Sequence, residues 1–169
     1  MPRKKYVKDK KSRRNKRFEK ITEKIKEKKT MNEYFIVKRL QRVENFLGSF
    51  PSDSLPYVDV FPAFYVVNTD KSDKPGSHLI AICENENFFE IYDSLALPQY
   101  PLLIKNFLSR KKCHKINRVQ SDSSFYCGLY SCFFILARQT LSFTALSNFF
   151  SKECSQNDKI LLTALENLW

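Results

Sequence analysis

The sequence predicts an α+β domain, a mixed or antiparallel central sheet flanked by helices, carried behind a basic arm. Three observations lead there. Runs rich in aromatic and β-branched residues cluster in the middle of the chain, separated by polar loops. Apolar residues recur at helical spacing before and after them, with no internal repeat. Charge also divides the chain: residues 1–29 hold 15 Lys/Arg against 4 Asp/Glu and residues 30–169 hold 14 against 14, so the net charge of +11 belongs to the arm.

The arm, residues 1–30, is charge-dense from Pro2 to Arg17 and cannot bury enough apolar surface to fold alone. From Phe18 to Lys29, the positions of Phe18, Ile21 and Ile25 follow helical spacing, and Lys16–Glu19, Lys20–Glu23 and Lys24–Glu27 can pair, which predicts a short basic amphipathic helix. The domain, residues 31–169, starts where lysine density ends. A helix is expected from Tyr34 to about Glu44, then a turn over Phe46 to Pro51, where Gly48 frees the backbone and Pro51 discourages helix. Val58 to Asn68 is expected to form a strand broken at Pro62.

The polar loop Lys71 to Gly76 feeds a strand bearing His78, and Glu84 to Asn87 returns Phe88 to Asp93 antiparallel to it. Such a hairpin brings Asp93 near His78. A helix from about Tyr100 to Ser109, a strand over Ile116 to Gln120 and a helix from about Ser124 to Gln139 follow. Ser142 to Lys152 and Gln156 to Leu168 complete a helical C-terminal section. The stripe Phe125, Tyr126, Leu129, Tyr130, Phe133, Phe134 is expected to be a helix's core face.

With 43% hydrophobic residues, 15 Phe and 8 Tyr, a chain of 169 residues can build one ordinary core. Five cysteines are an odd number, and no apolar segment with a small-residue cleavage site opens the chain, which disfavours a secreted disulfide scaffold. The longest apolar runs fall short of the ~18 residues that cross a bilayer, so no membrane span is expected. A reducing, intracellular setting follows.

A cysteine attacks as thiolate, yet a free thiol with a pKa near ~8.5 is mostly protonated at neutral pH. Cys127 lies near the start of a predicted helix behind the polar run Ser121-Asp122-Ser123-Ser124, where backbone N–H groups and the helix dipole favour negative charge. Of the two histidines, His114 sits in the cationic run Arg110 to Lys115, where imidazole is a poor base, whereas His78 follows Gly76 on an apolar strand. His78 is therefore the candidate base. Asp93 would orient its ring. Gln120 would donate a side-chain N–H to an oxyanion hole completed by the backbone N–H of Cys127.

Each residue alone has a plainer reading: Cys127 as a small buried hydrophobe, His78 as a core histidine, Asp93 as a strand-end turn residue, Gln120 as a surface amide. The four types in this order, with Gly76 and Gly128 at both approaches, favour the chemical reading. Cys127 and Cys132 have a poor spacing for zinc, and no second ligand pair stands by, so no metal is expected. There is no Gly-rich phosphate loop and no Gly-x-Ser-x-Gly elbow.

From about Tyr34 to Phe150 the chain resembles the adenovirus protease family, adenain, of the papain-like clan that includes the proteases of ubiquitin-like modifiers. The resemblance rests on Phe46-Leu47-Gly48-Ser49-Phe50, on Val66-Val67-Asn68-Thr69 followed by Gly76-Ser77-His78, on Tyr92-Asp93-Ser94-Leu95, and on Val119-Gln120 before Cys127-Gly128-Leu129-Tyr130-Ser131-Cys132-Phe133. It implies a cysteine endopeptidase with His78 as base, Asp93 as third member, Gln120 in the oxyanion hole and Cys127 as nucleophile. It also implies cleavage at glycine-containing sites in viral precursor proteins during virion maturation, with DNA and a short activating peptide as stimulators and the host nucleus or the virion as location. Leu79 stands where much of the clan has Trp after the histidine, and the third member is Asp93, as in the modifier proteases. Adenain can hold its peptide through a disulfide, for which Cys113 is the candidate.

The arm lies outside the resemblance. Its cations, Lys4, Lys5, Lys10, Lys11, Arg13, Arg14, Lys16 and Arg17, suit phosphate backbones without sequence readout, so DNA is the expected partner of what is otherwise a monomer; the plainer alternative is a solvated tail serving solubility or nuclear import. Anionic membrane binding through Phe18, Ile21 and Ile25 is less favoured. Two functional alternatives stand: a protease that removes ubiquitin or a ubiquitin-like modifier after Gly-Gly, and a non-catalytic nucleic-acid-binding structural protein.

Overall fold

The computed structural model describes residues 33–168. The arm, its expected helix and its eight candidate cations lie outside the described residues.

A five-stranded mixed sheet forms the centre, in the order β1-β2-β3-β4-β5. Its strands are β1 (Phe46–Pro51), β2 (Ala63–Asn68), β3 (Leu79–Glu84), β4 (Phe88–Tyr92) and β5 (Lys112–Lys115). The central three are antiparallel, whereas β1 runs parallel to β2 and β5 parallel to β4. Every residue of β2 and β3 is buried, as expected for strands covered on both faces.

Strand alternation sorts the core into two layers. Tyr65, Val67, Ile80, Ile82, Phe89 and Ile91 point to one face, where Ile104 and Leu108 of α2 (Leu102–Leu108) cover them. The other face carries α3 (Cys127–Arg138), which packs chiefly on β3, flanked by α1 (Glu33–Leu40) and α5 (Asn157–Leu168). Tyr92 stacks on Phe134 of α3 with ring centroids 4.7 Å apart, and Arg138 at the far end of α3 makes a two-pronged ion pair with buried Glu90. The short α4 (Phe143–Ser147) is capped by Ser142, whose hydroxyl accepts from the Ala145 N–H. A single 3₁₀ turn, Cys154–Gln156, precedes α5. Among the described residues no helix is long and apolar enough to cross a membrane.

The α+β class, the hairpin of β3 and β4, and α2 agree with the sequence reading, while other elements correct it: the strand expected from Val58 starts only at Ala63, and the helix expected over Ser142 to Lys152 ends at Ser147. Phe46 to Pro51 is an edge strand and not a turn. Gly48 sits there at φ +127°, where the register with β2 shifts, and Pro51 ends the strand, where a missing N–H is tolerated. The last strand is Lys112–Lys115 and not Ile116 to Gln120, because an edge strand tolerates the exposed Lys112 and Lys115 at its two ends that a central one would not. Beyond it the chain leaves the ladder, and the N–H groups of Val119 and Gln120 both converge on the Ser94 carbonyl at 2.9 and 2.8 Å. Helix α1 stops at Leu40, short of Glu44, and α3 begins at Cys127, three residues later than expected. Phe125 and Tyr126 consequently precede the helix, the first 82% exposed and the second half-buried, so neither is part of the core face that Leu129, Tyr130, Phe133 and Phe134 do form.

Candidate active site

His78 stands immediately before β3 and is buried. Its carbonyl accepts from the backbone N–H of Thr69 at 2.9 Å, tying the approach to the end of β2. Gly76 makes that approach possible: its φ is +89°, and a Cβ there would lie 2.5 Å from Nδ2 of Asn68. Asn68 cannot simply turn away, because its Nδ2 donates to Glu33 at 2.9 Å and its Oδ1 accepts from the Asp70 N–H at 3.0 Å.

Asp93 follows β4 directly, so the hairpin register delivers it to His78 as the sequence reading expected. Oδ1 of Asp93 lies 2.7 Å from Nε2 of His78. The same carboxylate accepts from the N–H groups of Leu95 and Leu97 at 3.1 and 2.9 Å, and the Tyr100 hydroxyl also bonds to it. Burial opposes its charge, but the His78 contact, followed by the Leu97 and Tyr100 donors, outweighs that and holds its carboxyl below the ordinary value.

Cys127 is the first residue of α3, half-buried, and close enough to His78 for the two side chains to shift each other's ionisation. With Nε2 committed to Asp93, the buried Nδ1 makes no hydrogen bond of its own, and it is the ring nitrogen left open to a reacting group. Burial opposes ionisation of Cys127. His78, the Leu79 N–H and the Gly128 N–H reverse that and lower its pKa. Burial likewise opposes the His78 cation, yet Asp93 and Cys127 together raise it to about 9. Cys83 and Cys132, buried without such partners, are pushed up to about 12. Cys127 and His78 thus favour a thiolate–imidazolium pair.

Gln120 is buried, and its amide is held at both ends. Oε1 accepts from the Ser94 hydroxyl at 2.6 Å, and Nε2 donates to the Ser124 carbonyl at 2.8 Å. A carbonyl can only accept, so Nε2 must face Ser124, on the loop that leads into Cys127. Nε2 carries two N–H groups, of which this bond uses one. The roles of Ser94 and Tyr100 were not anticipated from the sequence: Ser94 was visible only as the neighbour of Asp93, and nothing in the spacing marks Tyr100.

The remaining candidates lie elsewhere. Cys113 is on β5 against the α2-side core; its thiol donates to the Leu108 carbonyl at 3.4 Å, and burial pushes its pKa up. His114 sits on the same edge strand with its ring edge-on to Phe88, 5.2 Å between centroids. Among the described residues no group of three or more His, Cys, Asp or Glu side chains is arranged to hold a metal ion.

No protein-family model matches the chain, and no curated protein is significantly similar to it. Among solved structures, the chain is similar to the selenomethionine crystal structure of the ASFV pS273R protease, with 22% identity and a TM-score of 0.45, over 63% of this chain and 44% of that one. The chain thus spans less than half the length of that protein. At that distance the chemistry of the site, and not the neighbour, carries the functional reading.

Proposed function

We propose that the chain is a cysteine endopeptidase of adenain type. One observation carries this reading: the thiol at the first residue of α3 is electrostatically coupled to a buried histidine whose Nε2 is fixed 2.7 Å from a buried carboxylate. In that arrangement the Cys127 thiolate attacks the scissile carbonyl carbon, and the developing oxyanion is met by the Gln120 side-chain N–H and the backbone N–H of Cys127. The His78 imidazolium gives its Nδ1 proton to the departing amine, leaving an acyl thioester. His78, now neutral, takes a proton from water as the water attacks the thioester, and Cys127 leaves as thiolate. Asp93 holds the ring and stabilises its cation throughout.

The substrates are viral or virus-like precursor proteins cut at glycine-containing sites, and the arm tethers the enzyme to DNA. The resemblance at His78, Asp93, Gln120 and Cys127 supports the first statement; the concentration of positive charge in residues 1–29 supports the second. Removal of a ubiquitin-like modifier is the competing reading, favoured by an Asp in the third position.

Turnover of a fluorogenic Leu-x-Gly-Gly peptide by wild type and Cys127→Ala, with and without DNA at low salt, tests this. Cleavage that is lost in the variant and raised by DNA is the expected result. Cysteine-dependent cleavage indifferent to DNA, with release of a modifier from a Gly-Gly fusion, favours the modifier protease. Absence of cleavage, together with no selective labelling of Cys127 by a peptide aldehyde, favours a non-catalytic nucleic-acid-binding protein.

A further inference from the structure

The segment bearing Gln120 is irregular, and its geometry comes from side chains far along the chain. Asn157, the fully buried first residue of α5, donates from Nδ2 to the Val119 carbonyl at 2.9 Å and to the Ser151 carbonyl at 2.8 Å, while its Oδ1 accepts from the Ser151 N–H at 2.9 Å. The next residue, Asp158, accepts through Oδ1 from the Ser124 hydroxyl at 2.9 Å and from the Tyr130 hydroxyl at 3.0 Å. Ser124 is the residue whose carbonyl receives the Gln120 amide. Tyr130 lies in the first turn of the helix that begins with Cys127, and its N–H bonds to the Tyr126 carbonyl at 2.9 Å.

Asn157 therefore grips the residue before Gln120, and Asp158 grips both the partner of its amide and the helix of the nucleophile. We propose that Asp158, braced by Asn157, is a positioning residue that sets the distance between the Gln120 amide and Cys127, and so the shape of the oxyanion hole; this rests on the peptidase reading above. Asp158 itself bonds to no member of the His78, Asp93 and Cys127 set. Its effect should fall on the stabilisation of a tetrahedral oxyanion and not on the ionisation of the thiol. A misplacement of such a donor by about 1 Å is worth up to ~10²-fold in rate.

Three readouts separate this from a merely structural staple: kcat and KM for the Leu-x-Gly-Gly peptide, affinity for the matching peptide aldehyde, whose tetrahedral thiohemiacetal presents its oxygen to the same donors, and the pH profile of Cys127 alkylation by iodoacetamide. Asp158→Ala is expected to lower kcat about 10- to 100-fold with KM near wild type, to weaken aldehyde binding by a similar factor, and to leave the alkylation profile in place. Asp158→Asn keeps Oδ1 as an acceptor and should restore most of the loss. If Asp158→Ala does not fold, Ser124→Ala and Tyr130→Phe each remove one of its two partners, and each should lower kcat and aldehyde affinity together.

An unchanged kcat and aldehyde affinity, or losses matched by a shifted alkylation profile, would overturn the proposal. Should the wild type neither turn over peptide nor be labelled selectively at Cys127, the peptidase reading fails; where turnover alone is missing, labelling remains. The aldehyde comparison still decides the positioning role: affinity that falls in Asp158→Ala supports it, and equal or undetectable affinity in both proteins sinks it.

Discussion

At the scale of single residues, the site is a competition between burial and mutual charge. Burial by itself would return Cys127 to a thiol and His78 to a neutral ring, and their proximity reverses both. The sign of the pH dependence follows. Cys127 ionises below the ordinary thiol value, so kcat/KM rises on the acid side of that value; His78 holds its proton up to about 9, so kcat/KM falls above it as the proton donor to the leaving amine is lost. A bell with its alkaline limb near 9 is the expected profile. In His78→Ala the burial of Cys127 persists without its partner, and alkylation by iodoacetamide should shift to higher pH. Asp93→Asn keeps an acceptor for Leu95 or Leu97 but removes the charge. It should move the alkaline limb to lower pH and reduce kcat/KM by ~10²–10⁴-fold, read from the same pH series. A variant profile that overlays the wild type would remove Asp93 from the mechanism.

At the scale of elements, the approach to β3 is the most constrained stretch of backbone near the site. Gly76→Ala meets both a φ of +89° and Asn68 Nδ2 at 2.5 Å, so a loss of about 1–3 kcal/mol is expected, measurable as a lowered thermal midpoint or denaturant midpoint. Because the strain falls two residues before His78, activity should decline at temperatures where the variant remains folded. This hairpin was also the most legible part of the sequence. Glu84 to Asn87 is a short polar link between apolar runs, and once the turn is placed, pairing carries Asp93 to His78 with no further information. The edge strands were not legible in the same way. β1 contains Gly48 and Pro51, which argue locally for a turn, and only its parallel pairing with Ala63–Asn68 makes it a strand. β5 is lysine-rich, and its strand character comes from the edge of β4. Gln120 lies outside the strand expected at Ile116 to Gln120, and its role as a candidate donor does not depend on one. The grip of Asn157 and Asp158 on residues 119 and 124 spans more than thirty positions, and no local pattern announces it.

At the scale of the whole molecule, charge and chemistry occupy different parts of the chain. The residues that form the pair at Cys127 belong to a stretch with 14 Lys/Arg and 14 Asp/Glu, while the net +11 lies in residues 1–29. A neutral unit has little long-range attraction for nucleic acid, whereas a basic segment gains affinity by releasing condensed counterions from the duplex, about 0.9 per phosphate neutralised. The two properties should therefore separate by mutation. Replacing Lys4, Lys5, Lys10 and Lys11 together with Arg13, Arg14, Lys16 and Arg17 by Gln in the full-length chain should flatten the dependence of DNA affinity on salt and abolish any stimulation of peptide cleavage by DNA. Turnover without DNA should remain within about twofold, since none of the eight is among the residues assigned to the site. Fluorescence anisotropy of a labelled duplex across a salt series, run beside the peptide assay, measures both. A salt slope that survives the eight substitutions would move the DNA contact to the remaining Lys/Arg of residues 1–29, or to the exposed lysines of β5.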